Sequence, residues 1–429
     1  MYDLVIIGAG WAGFNAAIRS KSLNLRTCLI EKSHIGGTCL NLGCIPTKIL
    51  LHSAKLLTLN KKNPVFGIES GNTQLQFQTL QQRKEKVILQ LRQGMETRLK
   101  GIDVHAGQAV LRSPTEVMVN GTVLSTKNIL VATGSKPTAL AQIPFDGHHI
   151  ISSNEILSLQ DIPKSILIVG GGVIGCEFAS LFSSFGAAVT IVEMLPQLLP
   201  GIDKEAARKV EISFKKKGIV VHTNSDASNF HKESFERVLV CVGRTPQLEG
   251  FGLDAVGIKK ERSRLYIDEY LQTSLKNIYA AGDCTGHMML AHFAAFQGIG
   301  IVENIATVDH KKPIRASAVP NCIFTDPEIA SVGVSEEEAE KSGIKTIIKK
   351  FDFLGSGMAR IIDETEGFIK VIADQTSHRI IGATIIGPRA TELIAVFSVA
   401  IANSLTSFQL KETMFAHPTL SESIHEAIP

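Results

Sequence analysis

Two segments of the chain repeat one pattern, in which a buried strand leads into three spaced glycines, a helix, a second strand and an acidic residue. The first segment runs from residues 3–7 to Glu31, and the second runs from residues 165–169 to Glu193. In both, the acid lies eighteen residues after the third glycine. The spaced glycines are Gly8, Gly10, Gly13, Gly170, Gly172 and Gly175. Such glycines let the backbone approach a pyrophosphate at a helix N-terminus, and the acid can accept hydrogen bonds from ribose hydroxyls. The pattern therefore predicts two dinucleotide-binding sites.

A further similarity between the two segments supports a duplicated fold. Residues 128–135 and 237–244 are each an apolar strand that ends in glycine, and each follows its own glycine pattern. From about Pro313 the pattern changes to short strands that alternate with helices, which is typical of an α+β domain with an antiparallel sheet. The predicted strands there are 317–324, 344–353, 367–373 and 380–386, and the predicted helices are 335–342 and 391–402. We therefore predict an α/β protein with two Rossmann-like dinucleotide-binding domains and a C-terminal α+β domain.

Length, charge and hydropathy narrow the class of protein. The 429 residues exceed what one hydrophobic core holds, so about two to four domains are expected. A net charge of +3 gives no reason to expect binding to nucleic acid or to an anionic membrane. No apolar run is long enough to span a bilayer, and the N-terminus enters a strand without a basic leader. We therefore expect a cytoplasmic protein without a signal peptide.

A cysteine pair, Cys39 and Cys44, follows the first glycine pattern and precedes a helical segment. Pro46 suits the first turn of a helix, where its missing N–H is not needed, so Cys44 is expected at a helix N-terminus. That position lowers the pKa of a thiol and favours the thiolate. A disulfide between the two cysteines would close a small loop and add only about 2 kcal/mol of stability. Such a bridge is suited to repeated opening and closing.

A zinc site and a static disulfide are the alternative interpretations of this pair. The other cysteines are scattered singly, so no second pair stands at metal-ligand spacing, and we predict no metal. A static disulfide is atypical of a chain without secretory features. The sequence around the pair favours a redox-active dithiol.

Redox chemistry explains why two dinucleotide sites and a dithiol occur together. A disulfide and a nicotinamide do not exchange hydride directly, but a flavin between them can accept electrons from a thiolate and pass hydride on. Because the cysteine pair lies just after Glu31, we assign FAD to the first site and an exchanging nicotinamide dinucleotide to the second. Glu193 would repel a 2′-phosphate, and residues 194–202 contain no lysine or arginine to bind one. NAD is therefore favoured over NADP.

With these features the chain resembles the pyridine nucleotide–disulfide oxidoreductases, and most closely their dihydrolipoamide dehydrogenase branch. The resemblance runs essentially end to end and rests on segments 36–48, 281–283, 289–292 and 417–422. It implies an FAD-binding domain at 1–148 with a return segment at 265–312, an NAD-binding domain at 149–264, and a dimerisation domain at 313–429. One departure lies between Ile219 and Gly243, where the family's usual excursion of short strands is shortened.

The resemblance also implies roles for individual residues. Cys39 would be the interchange thiol, Cys44 the thiol nearer the flavin, and Lys48 a neighbour of flavin N5 paired with Glu177. For Asp283, a contact with the ribityl hydroxyls or phosphate edge of FAD is favoured over a helix cap. The residues implied in FAD binding are Gly8, Gly10, Gly13, Glu31, Lys32, Gly37, Thr38, Lys48, Ala109, Thr133, Gly134, Asp283 and Ala291. Those implied in NAD binding are Gly170, Gly172, Val173, Gly175, Glu193 and Gly243.

The resemblance finally implies an active homodimer and a reaction. His417, oriented by Glu422, would serve as the base at the cysteine pair of the other subunit. The expected reaction oxidises protein-bound dihydrolipoamide to lipoamide and reduces NAD⁺. The expected partner is a lipoyl domain of an acyltransferase or a glycine-cleavage carrier protein, within a 2-oxo acid dehydrogenase or glycine cleavage complex. Two alternatives stay open: a glutathione-reductase-like or other NAD(P)H-dependent disulfide reductase, and a catalytically vestigial flavin-bearing subunit.

Overall fold

The computed structural model of the chain describes residues 1–69, 71, 73–307 and 311–429. Its N-terminal part builds a sheet whose first two strands are buried on both faces, which is why their sequences are continuous apolar runs. Its strands are β1 (Tyr2–Ile7), β2 (Thr27–Glu31), β3 (Asp103–Ala106), β4 (Ala109–Ser113), β5 (Glu116–Val119) and β6 (Thr122–Val131), and β7 (Ser135–Pro137) follows outside this sheet. The helices are α1 (Trp11–Ser22), α2 (Gly37–Leu42), α3 (Cys44–Asn60) and α4 (Phe77–Arg98). Strands β3, β2, β1 and β6 are parallel neighbours in that order, and β5 and β4 extend the sheet in antiparallel fashion.

The next part of the chain builds a second parallel sheet in the order β11-β10-β9-β12-β8. Its strands are β8 (Ile150–Ile151), β9 (Ser165–Val169), β10 (Ala188–Val192), β11 (Val220–His222) and β12 (Arg237–Val240). Its helices are α5 (Val173–Ser184) and α6 (Lys204–Lys216), and three short strands follow, β13 (Arg244–Pro246), β14 (Lys260–Glu261) and β15 (Arg264–Leu265). Strand β13 pairs with β7, so the two nucleotide-binding regions are joined by a small antiparallel ladder.

The two sheets repeat one arrangement, with one difference. In each, the strand before the glycine loop (β1 or β9) lies between the strand that ends in the acid and a later apolar strand. Between β3 and β6 the first region inserts β4 and β5, whereas the chain between β11 and β12 forms only two 3-10 turns, Ala227–Asn229 and Lys232–Ser234. This is the segment that the resemblance identifies as shortened. The second region thus keeps the strands that carry the glycine loop and lacks the extension.

The chain then returns to the first sheet. Strand β16 (Ile278–Ala280) pairs in parallel with β6, and helix α7 (Ala291–Ala306) packs against α1. The contact is close, because a Cβ on Gly298 would lie 2.2 Å from the carbonyl oxygen of Ala12. Only glycine fits at position 298. Because it has no side chain, the return segment packs directly against the first glycine loop.

The C-terminal part forms an antiparallel five-stranded sheet in the order β17-β18-β21-β20-β19, as the sequence predicts. The strands are β17 (Asn321–Ile323), β18 (Glu328–Gly333), β19 (Thr346–Asp352), β20 (Phe368–Asp374) and β21 (Ile380–Gly387). The helices are α8 (Glu336–Lys341), α9 (Gly357–Ile361), α10 (Ala390–Ala402), α11 (Ser407–Lys411) and α12 (Glu422–Ala427). No helix in the described part of the chain is long and apolar enough to cross a bilayer.

Two details of this sheet differ from the sequence-based expectation. The strand predicted at 317–324 is confined to β17, and β18 was not predicted at all. The register of β18 is set by its pairing with β21, about fifty residues later in the chain. Such a short strand takes its stability from this long-range partner and carries little local signal.

Candidate active site

A cleft of ≈940 Å³ opens beside the first glycine loop and reaches both cysteines of the pair. Its walls come from the N-terminal region, from the return segment, from the second nucleotide-binding region including the start of α5, and from the start of the C-terminal region. The volume falls within the roughly 300–1,000 Å³ typical of cofactor sites. Most residues predicted to bind FAD line it: Gly8, Gly10, Glu31, Lys32, Gly37, Thr38, Lys48, Ala109, Thr133, Gly134, Asp283 and Ala291. Gly13 is the predicted residue that does not line the cleft.

The three glycines of the first loop have different surroundings. A Cβ on Gly8, which has φ of +103°, would lie 2.3 Å from the carbonyl oxygen of Ala132. A Cβ on Gly13 would lie 1.9 Å from the carbonyl oxygen of Gly8, so Gly13 allows helix α1 to pack closely on the strand. Around the Cβ position of Gly10, the described structure has no atom within 4 Å. The loop thus presents bare backbone to the cleft at the start of α1, which fits the pyrophosphate of FAD.

The second glycine loop repeats these surroundings. A Cβ on Gly170 would lie 2.7 Å from the carbonyl oxygen of Cys241, and one on Gly175 would lie 1.9 Å from that of Gly170. At Gly172, the corresponding Cβ position has no described neighbour within 4 Å. The start of α5 is therefore shaped like the start of α1 and fits a second pyrophosphate.

The acidic residues of the two patterns are held in the same way. The Glu31 carboxylate accepts hydrogen bonds from Ala9 N at 2.7 Å and Ser33 N at 2.8 Å. The Glu193 carboxylate accepts from Gly171 N at 2.6 Å and from the backbone N–H two residues on at 2.8 Å. In each case one carboxylate oxygen is anchored to the glycine loop itself. Each acid is thus positioned beside its loop, where an adenosine ribose would lie.

The cysteine pair connects two helices through a sharp turn. Cys39 lies within α2, Gly43 separates the helices, and Cys44 is the first residue of α3. Both cysteines are free thiols, Cys39 half-buried and Cys44 open to the cleft. A hydrogen bond from the Cys39 thiol and the nearby Lys48 ammonium together lower the pKa of Cys44 to about 7, despite burial. The same hydrogen bond and burial raise the pKa of Cys39. In the dithiol, the negative charge therefore resides on Cys44.

Lys48 lies one helical turn after Cys44 and joins three regions of the chain. Its Nζ is 2.9 Å from both carboxylate oxygens of Glu177 on α5, whose side chain is almost fully buried. Glu177 also accepts a hydrogen bond from Phe324 N at 3.0 Å, and the Lys48 Nζ lies 4.7 Å from the centre of the Phe324 ring. The ammonium is therefore held near the N-terminus of α3 by contacts with helix α5 and with Phe324 of the C-terminal region.

The predicted acid–base pair lies elsewhere on the surface. His417 Nδ1 is 2.9 Å from Glu422 Oε2, and the His417 side chain is 82% exposed. Glu422 is the first residue of α12. Neither residue belongs to the lining of the described cleft. Within one chain the structure therefore joins His417 to Glu422 but does not bring the pair to Cys39.

Comparison with known proteins identifies the family. The pyridine nucleotide-disulphide oxidoreductase model matches residues 2–298, and the dimerisation domain model of the same family matches residues 319–428. The chain belongs to the pyridine nucleotide-disulphide oxidoreductase family.

Proteins named dihydrolipoyl dehydrogenase are similar over almost the whole chain. One from Bacillus subtilis is 37% identical, covering 99% of this chain and 97% of that protein. One from Chlamydia pneumoniae is 40% identical, covering 98% and 95%.

Solved structures agree with this assignment. A crystal structure of LpdA from Mycobacterium tuberculosis has a TM-score of 0.91 at 28% identity and covers 100% of this chain and 99% of that one. The HOCl-induced flavoprotein disulfide reductase RclA from Escherichia coli has a TM-score of 0.88 at 29% identity, with coverages of 100% and 99%. As a member of this family, the chain is a flavin-dependent disulfide oxidoreductase that uses FAD and NAD.

The structure also places the remaining predicted residues. Val173, predicted for NAD, begins α5 and also lines the described cleft. Gly243, with φ of +119°, follows β12 at the end of the second sheet. The carboxylate of Asp283 accepts a hydrogen bond from Ser135 Oγ at 2.5 Å, and Asp283 lines the described cleft.

Arg244 is a residue of the cleft that sequence reasoning missed. Its Nε donates to Ser135 Oγ at 2.8 Å and its Nη2 donates to Ser135 O at 2.9 Å. Burial lowers the pKa of Arg244, and the nearby Asp283 carboxylate opposes that shift. The only available signal was an arginine directly after the glycine that ends the second apolar strand. Arg244 thereby supplies a positive charge at the junction of the two nucleotide-binding regions.

The charge on Cys44 predicts a pH dependence for the reduced protein. Because the pKa of Cys44 is lowered to about 7, its thiolate is present above that pH and is lost by protonation below it. Burial raises the pKa of the thiols of Cys28, Cys241 and Cys284 to about 12, so these stay protonated. The ultraviolet thiolate absorbance of reduced protein should therefore titrate with a midpoint near 7. The same titration persisting in Cys44→Ser would place the thiolate on another residue.

Proposed function

We propose that the chain catalyses the NAD⁺-dependent oxidation of dihydrolipoamide to lipoamide. The observation that carries this proposal is the alignment with proteins named dihydrolipoyl dehydrogenase, which spans 98–99% of this chain and 95–97% of those proteins. The thiolate-forming Cys44 beside Lys48 supports a two-electron exchange with a dithiol substrate. These features also argue against a vestigial subunit, since both thiols and their neighbours are intact.

The first half of the proposed reaction opens the Cys39–Cys44 disulfide. His417 of one subunit takes a proton from the first substrate thiol, and Glu422 on Nδ1 leaves Nε2 to accept it. The substrate thiolate attacks the Sγ atom of Cys39. The bond to Cys44 breaks, and its electron pair remains on Cys44, the sulfur that better stabilises charge. The product is a mixed disulfide between the substrate and Cys39.

The second half releases the oxidised substrate. The second substrate sulfur attacks the first, the bond to Cys39 breaks, and lipoamide leaves. The proton of the second thiol passes to Cys39, so the reduced protein holds a Cys39 thiol, a Cys44 thiolate and a protonated His417. FAD, when bound, supplies the route by which the two electrons pass from the dithiol to NAD⁺. Lys48, Asp283 and the first glycine loop are the residues that would hold it in the cleft.

A homodimer completes this scheme. The C-terminal region matches a dimerisation domain model over residues 319–428. In the single chain, the His417 side chain is 82% exposed and lies outside the lining of its own described cleft. Large apolar side chains are also exposed on and near the C-terminal helices, with Val399 59%, Phe408 58% and Met414 95% exposed. Pairing two chains would bury these side chains and bring His417 of one chain to Cys39 of the other.

The proposed reaction also implies a domain organisation and a partner protein. We propose the division into 1–148 with 265–312, 149–264 and 313–429, because each region then holds one of the three larger sheets. A lipoyl domain carried by an acyltransferase or a glycine-cleavage carrier protein would deliver the substrate in the cytoplasm. The lipoyl arm would enter between the two subunits, because the proposed base and the interchange thiol come from different chains.

Glu193 is proposed to select NAD⁺, and its replacement by glutamine tests this. Hydrogen bonds to a charged acceptor contribute about 1.5–3 kcal/mol, so Glu193→Gln should raise the KM for NAD⁺ roughly 10-fold. The matched variant Glu31→Gln changes the equivalent acid of the first loop and should weaken FAD retention instead. Steady-state kinetics and the flavin content of the purified protein measure the two effects. FAD loss in Glu193→Gln with an unchanged KM would reverse the assignment of the sites.

A substrate panel tests the proposed reaction directly. Dihydrolipoamide and glutathione disulfide should be assayed with NAD and NADP cofactors on the purified flavoprotein. We expect dihydrolipoamide with NAD⁺ to be turned over fastest, and the yellow protein to become red on two-electron reduction, as a thiolate next to oxidised flavin absorbs at long wavelength. Faster glutathione disulfide reduction with NADPH would support the glutathione-reductase-like alternative. A protein that bleaches without turning red would support the vestigial subunit.

A further inference from the structure

Trp11, the chain's single tryptophan, lies within the first glycine loop, between Gly10 and Gly13. It is the first residue of α1 and, with Cys39, lines the cleft. The two segments are in close contact, because a Cβ on Gly37 at the start of α2 would lie 2.7 Å from Gly10 Cα. This contact brings the helix that carries Cys39 against the residue that precedes Trp11.

The indole nitrogen of Trp11 is buried. Among the residues that the structure describes, Trp11 Nε1 finds no acceptor. Buried donors are satisfied in most proteins, so an unpaired one requires an explanation. An N–H group next to a sulfur that alternates between thiol and thiolate has such an explanation, because only the thiolate is a strong acceptor.

The charge distribution of the dithiol explains why the Cys39 sulfur does not pair with the indole N–H of Trp11. The Cys39 thiol gives its hydrogen to Cys44, so the Cys39 sulfur is neutral and a weak acceptor. The indole N–H of Trp11 acts to lower the pKa of Cys39, and Lys48 acts in the same direction more weakly. Lys48, one helical turn after Cys44, therefore stabilises mainly the Cys44 thiolate. The indole of Trp11 is the neutral donor that can stabilise a Cys39 thiolate.

We propose that Trp11 donates its indole N–H to the thiolate of Cys39 whenever that sulfur departs from a mixed disulfide. This inference rests on the proposed function for the identity of the disulfide partner. In the step concerned, a second substrate sulfur attacks the first, the bond to Cys39 breaks, and its electron pair is left on Cys39 until a proton arrives. The indole keeps its own proton throughout and contributes only a hydrogen bond. A better stabilised thiolate is a better leaving group, so the donor favours release of the oxidised product.

The holoprotein with Cys44→Ser isolates the reactivity of Cys39 for a test. The rate of alkylation by iodoacetamide against pH gives the pKa of Cys39 in this variant and in Cys44→Ser/Trp11→Phe. Phenylalanine keeps an aromatic ring and removes the N–H. A hydrogen bond to a charged acceptor has the strength to change an equilibrium about 10-fold or more. We therefore expect the pKa of Cys39 to rise by about one unit in the phenylalanine variant.

A second substitution separates the effect of the indole N–H on the pKa of Cys39 from the effect of the size of the ring. Trp11→Ala should raise the pKa of Cys39 about as much as Trp11→Phe does, because both lack the donor. An unchanged pKa in Trp11→Phe would overturn the proposal, and so would loss of FAD from that variant with the pKa retained, since the N–H would then serve the cofactor. Alkylation does not require dihydrolipoamide, so this outcome is independent of the substrate panel.

The emission of the single tryptophan gives a further readout on the same protein. In Cys44→Ser, the fluorescence of Trp11 should change with pH at the midpoint given by alkylation, because a thiolate forms beside the indole. The control is Cys39→Ser/Cys44→Ser, in which this change should be missing. A pH response that is the same in both variants would contradict the contact between Trp11 and Cys39.

Discussion

Replacing Cys44 with serine will abolish dihydrolipoamide oxidation while the protein keeps its FAD. A serine hydroxyl cannot form the disulfide, and it cannot carry the charge that Cys44 accepts with a pKa of about 7. Loss of a group that forms a covalent intermediate costs roughly 10⁴-fold or more in rate. FAD should stay bound because the glycine loop, Glu31 and Asp283 are untouched. The measurements are NADH formation and the visible absorbance of the purified variant.

Another cysteine of the same cleft provides the control for this substitution. Cys322 also lines the cleft, and burial raises its pKa to about 11. It is therefore protonated at neutral pH and has no part in the proposed exchange. Cys322→Ser should keep turnover close to that of the unmodified protein. Turnover retained in Cys44→Ser, or lost equally in both variants, would refute the assignment of the redox pair.

Mixed dimers will show activity only when an intact cysteine pair and an intact His417 belong to different chains. His417→Ala should reduce turnover by about 10²–10⁴-fold, the usual contribution of a general base. A dimer of one Cys44→Ser chain and one His417→Ala chain has one site with both groups intact. We expect this dimer to recover about half the turnover of the unmodified dimer, because general-base catalysis at that site is complete.

The reciprocal combination distinguishes a site shared between chains from a site within one chain. A chain that carries both Cys44→Ser and His417→Ala, paired with an unmodified chain, has no complete shared site and should be inactive. If His417 acted within its own chain, this second dimer would be active and the first would not. Differently tagged chains, co-expressed and purified through both tags, give the two dimers for kinetic assay.

Features encoded by neighbouring residues were predictable from the sequence. The two glycine loops and their acids follow one local pattern, and the geometry of both loops agrees with it. The helix expected at 335–342 is α8, which Ser335 caps through a capping box with Glu338. These elements are determined by turn and cap chemistry over a few residues, so the chain sequence alone carries the information.

Features that depend on distant contacts were not predictable in the same way. Strand β18 needs β21 as its partner, and the Arg244–Ser135–Asp283 chain of hydrogen bonds joins three separate segments. The unpaired indole of Trp11 is likewise a consequence of how α1 and α2 pack. A sequence pattern gives the residue types at these positions, but the contacts that give them a role arise only when the sheets come together.

The shared carboxylate of Glu177 limits how the regions of the chain can move. It accepts hydrogen bonds from Lys48 on one side and from the N–H of Phe324 on the other, while its own helix belongs to the nucleotide-binding region between them. Pulling these regions apart would break the hydrogen bonds that this buried carboxylate accepts. The three regions should therefore melt in one cooperative transition.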